Sequence, residues 1–142
     1  MALRIRLSVR SRSSGREIET IALVNSGFET LKPQLLLPVS VAEALGLWPS
    51  LPRNYLVKEY MTPGGPVKQY VVPNELLVRV VVEYETPYIE SDAVISMIEE
   101  EVLISDKLAG ALGIVIYDVG EGIWRLRTDP EHVRRKSEPR LV

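Results

Sequence analysis

Ile21-Ala22-Leu23-Val24-Asn25-Ser26-Gly27 is the stretch from which the rest of the chain can be read. Four aliphatic residues in succession are apolar on both faces, the mark of a strand that enters a core. Asn25-Ser26-Gly27 stops that strand with small and polar residues, which favour turns and allow close backbone approach. Upstream, residues 17–24 extend the strand, with Ile18, Thr20, Ala22 and Val24 on one face. Before it, Leu3, Ile5, Leu7 and Val9 alternate with Arg4, Arg6, Ser8 and Arg10, a period of two that predicts a half-buried strand. The cluster 11–15 turns one strand into the other.

Downstream, Leu35-Leu36-Leu37 is a short buried strand closed by Pro38. Ser40-Val41-Ala42-Glu43 fits a capping box, and Gly46 stands where a short helix would exit. Residues 48–54 read as a loop. Residues 55–61 and 67–72 flank Thr62-Pro63-Gly64-Gly65-Pro66, which predicts a β-hairpin with a glycine-rich tip. Residues 75–83 form another strand, with Val78, Val80 and Val82 on one face, and 93–98 and 102–104 are shorter ones. Ser105-Asp106 can cap a second short helix over 107–112, with Gly113 after it. Residues 114–117 and 123–127 form a final hairpin. The chain therefore reads as one mostly β domain over residues 1–127. A polar tail follows over 128–142, expected to be mobile or to dock on a neighbour.

Composition narrows the function. The chain has 142 residues, 46% hydrophobic and 25% charged, which is globular rather than disordered. A formal net charge of -2 supplies no basic field, so nucleic acid ranks low as a partner. There is no cysteine, which removes disulfides, thiolate nucleophiles and Cys-based zinc sites. A single histidine, His132, cannot build a His-rich metal site, and no cofactor motif is present. The opening MALRIRLSVR lacks the apolar core of a signal peptide, and no window approaches a membrane span. A soluble cytoplasmic protein is the expectation. Scarce Asn and Gln with plentiful proline is compatible with a thermophilic source.

Two segments echo each other. Val41-Ala42-Glu43-Ala44-Leu45-Gly46-Leu47 and Leu108-Ala109-Gly110-Ala111-Leu112-Gly113-Ile114 are about 67 residues apart, close to half the chain. Ala-Leu-Gly is a common helix exit, and that alone could explain the match. The sharper reading is a two-fold pseudo-repeat within one chain.

The order of these parts resembles the retropepsin-like aspartic proteases. In that family an apolar strand runs into a loop reading Asp-Thr/Ser-Gly, matched here by Asn25-Ser26-Gly27. An apolar strand and short helix follow, as in 35–47. The hairpin tipped by Pro63-Gly64-Gly65-Pro66 resembles the family's flap, which implies a substrate-binding role for those four residues. The stretch 102–114 is similar to the second-half strand and helix, with Ser105 where glycine is frequent. The resemblance spans residues 3–127 and implies a closed β-barrel of retropepsin type with two short helices. It also implies a homodimer in which each chain contributes one loop to a two-fold axis, with peptide or protein as substrate. Gly27 then matches the family glycine, and Ser26 matches the hydroxyl that braces the two loops.

Asn25 departs from the pattern at the reacting position. The family's two carboxylates share one proton, because like charges at about 3 Å cannot both ionise. A carboxamide has no such proton and cannot act as general base toward water. The chain as written is expected to bind extended peptide in a dimer groove without hydrolysing it. One alternative is an active endopeptidase whose catalytic aspartate was changed to Asn25; a minor route back is deamidation of Asn25 before Ser26. A second alternative is a non-enzymatic β-barrel used in assembly.

Other candidates read more simply. Asp92, about 67 residues after Asn25, takes its pseudo-repeat position and is expected to be a loop aspartate facing water. Glu99-Glu100-Glu101 reads as a solvated turn rather than a cation site. Asp106 is a first-turn helix acid. Ser13-Ser14-Gly15 and Pro63-Gly64-Gly65-Pro66 lack the Lys-Ser/Thr of a phosphate loop. Ser26 has no histidine base nearby in sequence. Arg134-Arg135-Lys136 is a small basic run, solvated or meeting an acidic partner. Trp48, Tyr55 and Tyr60 either wall a peptide groove or pack the hairpin.

Overall fold

Period-two alternation and short continuous aliphatic runs build two kinds of strand. The computed structural model describes residues 2–25 and 27–140, the side chain of Tyr60 excepted. Its elements run β1 (Arg4–Ser11), β2 (Glu17–Val24), β3 (Gln34–Pro38), α1 (Val39–Ala44), β4 (Leu56–Thr62) and β5 (Gly65–Val80). They continue with β6 (Ile89–Ser96), β7 (Val102–Ile104), α2 (Asp106–Leu112), β8 (Ile114–Asp118), β9 (Ile123–Leu126) and β10 (Arg135–Lys136). Six strands in the order β1-β2-β7-β3-β6-β5 close into a barrel through the pairing of β1 with β5. β4 hangs on β5, and β8, β9 and β10 form a separate small sheet. The chain is thus mostly β, with a closed barrel and two short helices.

The alternating strands bury one face. Ile5, Leu7 and Val9 of β1 are fully buried inside the barrel with Leu35, Leu37, Leu76, Val78 and Ile95. Burial of each such side chain contributes roughly 1.5–3 kcal/mol before the entropy of ordering is set against it. The continuous runs bury both faces. Leu36, Val71, Val94 and Leu103 point out of the barrel and form a second cluster, with Leu23 and Phe28 packed against it.

The internal echo has a topological counterpart. Exchanging β1 with β5, β2 with β6 and β3 with β7 reproduces the same cyclic strand order. Leu36 and Leu103, 67 residues apart, pair directly with each other across β3 and β7. β2 runs parallel to β7, and β6 runs parallel to β3. The registers correct one expectation. Val24 lies beside Ile104 and Ile95 beside Leu37, so the counterpart of Asn25 is Ser96 and not Asp92. Asn25 stands eleven residues before Leu36, whereas Ser96 stands seven before Leu103, so the first connection carries four extra residues.

Three local expectations also change. Ser40 does not cap α1. The helix begins at Val39 straight out of β3, with Pro38 at the cap position and no side-chain bond there. Residues 67–72 and 75–80 are not two strands but parts of the single strand β5, which is irregular between Val72 and Leu76 and ends at Val80, short of the expected 83. Pro73 has no N–H for the ladder and Asn74 takes φ 54, so the chain bulges there instead of ending. Finally, residues 128–140 fold back on their own chain. β10 pairs with β9, and Glu138 N–H donates to Arg4 O at 2.8 Å.

The anchor of that return is Asp129. Its side chain is 1% exposed and accepts from Arg135 through both oxygens at 2.9 Å, from Leu126 N–H at 2.8 Å and from Tyr84 Oη at 2.8 Å. Arg135 also forks onto Glu83. Arg135 of the basic run is therefore met by acids of the same chain, while Arg134 lies over the Tyr117 ring and Lys136 is exposed. The Arg135 hydrogen bonds hold the Asp129 carboxyl well below the usual carboxylate range.

Replacing Asp129 with alanine is expected to cost about 3 kcal/mol in urea unfolding, since it leaves the largely covered Arg135 with the exposed Glu83 as its one carboxylate partner. The pH dependence follows from the depressed folded value. The pair's contribution is complete above the unfolded carboxyl value of about 3.9 and is lost as pH falls through the folded one. The urea midpoint should therefore fall more steeply on acidification for the native chain than for Asp129→Asn, measured from about pH 5 to about pH 3.

Candidate functional site

The corner after β2 is held from three directions. Asn25 N–H donates to Ile104 O of β7 at 3.3 Å, and Phe28 N–H donates to Asn25 O at 3.0 Å. Gly27 N–H donates to Asn25 Oδ1 at 3.0 Å. An N–H needs an acceptor, so the carboxamide oxygen faces Gly27 and its amino group is turned the other way. A Cβ on Gly27 would come within 3.3 Å of Asn25 Oδ1, so a larger residue there would push the carboxamide aside by a few tenths of an ångström. Ser26 lies outside the described residues. The counterpart corner uses the same device: Ser96 Oγ accepts from Ile98 N–H at 3.3 Å and Glu99 N–H at 3.2 Å.

The first turn of α2 fixes the rest of the connection. Ser105 Oγ accepts from Leu108 N–H at 3.1 Å, capping the helix, and from Gln34 N–H at 3.0 Å, tying down β3. Asp106 Oδ1 accepts from Thr30 N–H at 3.0 Å and Lys107 N–H at 2.7 Å. Asp106 is therefore a loop anchor as well as a first-turn acid.

Two cavities border the second apolar cluster, one at Leu23 and Leu103 and the other at Phe28 and Val71. One, of about 310 Å³, is lined by Leu23, Asn25, Ile98, Leu103, Arg140 and the run 99–101. Here the acidic run is not simply solvated. Arg4 forks onto Glu101 at 2.8 and 3.3 Å and holds its carboxyl below the ordinary range, and Arg140 reaches Glu100 at 3.2 Å. Ile98, 55% exposed, brings an apolar surface beside Asn25.

The other cavity, of about 440 Å³, lies between the corner connection and the root of the β4–β5 hairpin. Phe28, Leu31 and Lys32 line it on one side, Leu56, Lys58 and Val71 on the other. Asp92 lies at its base and is only 3% exposed, not the water-facing loop residue expected. Strand β6 is buried on both faces there, and the carboxylate is satisfied by Asn74 N–H, Gln34 Nε2 and Lys32 Nζ. The four extra residues of the connection fall in the segment that builds this cavity.

The hairpin tip is a tight turn in which Thr62 pairs with Gly65, φ +114, and Thr62 Oγ1 donates to Gly65 O at 2.8 Å. Pro63, Gly64, Gly65 and Pro66 line neither cavity, so the hairpin's root and not its tip meets the corner connection. Trp48 and Tyr55 both lie against Tyr70, with ring centroids 5.3 and 6.2 Å away, so they pack the hairpin. The Tyr60 side chain lies outside the described residues. Sequence reasoning overlooked Lys32, Gln34 and Asn74; the Pro73-Asn74 pair inside a strand pattern was the one available signal of a bulge needing a partner.

No protein-family model matches the chain, and no curated protein sequence matches it either.

Ser105→Ala removes the acceptor of the buried Leu108 N–H and of the partly buried Gln34 N–H. It is expected to lower unfolding free energy by about 2 kcal/mol in urea titrations and to speed amide exchange at both positions.

Proposed function

We propose that this chain is a homologue of the retropepsin-like aspartic proteases. In this reading it forms a symmetric homodimer, binds extended peptide in the groove and is catalytically silent with Asn25 in place. The observation that carries this reading is the corner itself. A buried strand ends in Asn25-Ser26-Gly27, its backbone is pinned to a strand threaded between β2 and β3, and it opens on an apolar cluster bordered by two cavities. The hairpin β4–β5, exposed at Leu56, Val57 and Met61, supplies a free strand edge and apolar side chains for an extended ligand. Main-chain pairing of that kind gives affinity without chemistry.

Pairing of two copies is supported by the half-buried setting of Asn25 beside exposed Ile98, surface that a second chain would cover. The amide at the corner then explains the silence. Two carboxamides facing each other donate and accept hydrogen bonds but hold no proton to exchange with water or with a scissile amide.

A second reading, an endopeptidase inactivated at this one position, is favoured by the bond from Gly27 N–H to Asn25 Oδ1. A carboxylate oxygen would accept the same bond, so the corner suits aspartate without rearrangement. Asn25→Asp discriminates the two. Under this second reading it should give cleavage of unfolded protein substrates with a bell-shaped acid pH profile, from two carboxyls sharing a proton. The unaltered chain should give none from acidic to neutral pH. Sedimentation equilibrium should show a dimer at micromolar concentration; a monomer there would overturn the reading, as would cleavage by the unaltered chain.

A further inference from the structure

The larger cavity contains a charge that main-chain pairing leaves unused. Asp92 is almost fully enclosed beneath the apolar walls made by Phe28, Leu56 and Val71. A carboxylate in such a place must be hydrogen-bonded or paired. Its Oδ1 accepts from Asn74 N–H at 2.9 Å and lies 3.2 Å from Lys32 Nζ; its Oδ2 accepts from Gln34 Nε2 at 3.2 Å. Two of these donors are neutral and fixed, one on the β5 bulge and one on β3. The third differs. Lys32 reaches in from the corner connection on a side chain that is 54% exposed. It brings a full positive charge on a long, flexible stem.

The remaining charged residues of the lining, Glu29 and Lys58, are exposed and opposite in sign. With Lys32 turned out to water, the base of the cavity keeps an enclosed anion and no cation of its own. We infer that this cavity takes a lysine or arginine side chain of the bound peptide, its aliphatic stem along Phe28, Leu56 and Val71 and its cationic head replacing Lys32 at Asp92. Long cationic side chains suit this arrangement, because they bury methylenes while the head stays with a polar group. Lys32 is then a built-in occupant that every ligand displaces. The inference rests on the peptide-groove reading and adds the residue class that the groove selects.

Calorimetric titration of two pentapeptides tests it: acetyl-Ala-Val-Lys-Val-Ala-amide, and the same peptide with norleucine for lysine. The lysine peptide should bind the unaltered chain at least about threefold tighter, and Lys32→Ala about tenfold tighter, because the internal competitor is gone. In this variant Asp92 keeps its bonds from Asn74 N–H and Gln34 Nε2, and a circular dichroism spectrum matching that of the unaltered chain should show that it folds. In Asp92→Asn the preference should vanish. Equal binding of both peptides to Lys32→Ala, or a preference that survives Asp92→Asn, overturns the inference and leaves the groove reading standing. Failure of both peptides to bind any of the three proteins overturns the groove reading and the inference together.

Discussion

β7 is three residues long, yet it occupies the gap between β2 and β3 and so closes the barrel. Val102, Leu103 and Ile104 bond in parallel to Ala22, Leu23 and Val24, and Ile104 and Leu103 bond in antiparallel fashion to Leu35 and Leu36. Ile104 O also accepts from Asn25 N–H, and the two residues that follow β7 anchor Gln34 and Thr30. The corner, the connection after it and the apolar cluster bordering both cavities therefore share one support. A strand with backbone partners on both edges and apolar neighbours on both faces moves very little, which is what a site built on a connection requires.

What the sequence discloses about this fold is local. Alternation in residues 3–9 and the aliphatic run 21–24 announce strands because side-chain burial has a period that can be read directly. The Ser105 cap and the glycine after α2 are legible for the same reason: each satisfies orphan groups within a few residues. Pairing order is a different matter. Nothing in Val102-Leu103-Ile104 says that it lies between β2 and β3, because the partners are distant in sequence and an apolar run fits any buried neighbour. Asp92 was misread on similar grounds. A spacing of 67 residues matches the helices, but four extra residues in the first connection shift the strand register, and only the pairing shows that. The polar segment after 127 looked loose because its apolar content is low. Its attachment is a carboxylate–guanidinium cluster, which hydrophobic periodicity does not register.

Under the proposed reading, the two halves of the pseudo-repeat have diverged in a useful way. Both corners keep a side-chain oxygen that accepts backbone N–H groups, Asn25 in one and Ser96 in the other. The first half added length, and the added length meets the hairpin root to enclose a cavity. With an uncharged residue at the corner, the buried anion that remains beside the groove is Asp92. Recognition of charge is then separated from the position where bond-breaking chemistry would sit.

The threading of β7 also sets an order of assembly. The β1–β2 hairpin can form from nearby residues, but β3 gains its neighbours only from β6 and β7, so barrel closure awaits residues 102–104. During synthesis, residues 102–104 must leave the ribosome before the Val24 edge is covered. Until β6 emerges the Leu35-Leu36-Leu37 run has no mate, and until β7 emerges it is paired on one edge alone. Distant pairings of this kind slow the search for the native state. The same closure that immobilises the corner therefore leaves the nascent protein with a sticky, unpaired segment until the strands far downstream emerge.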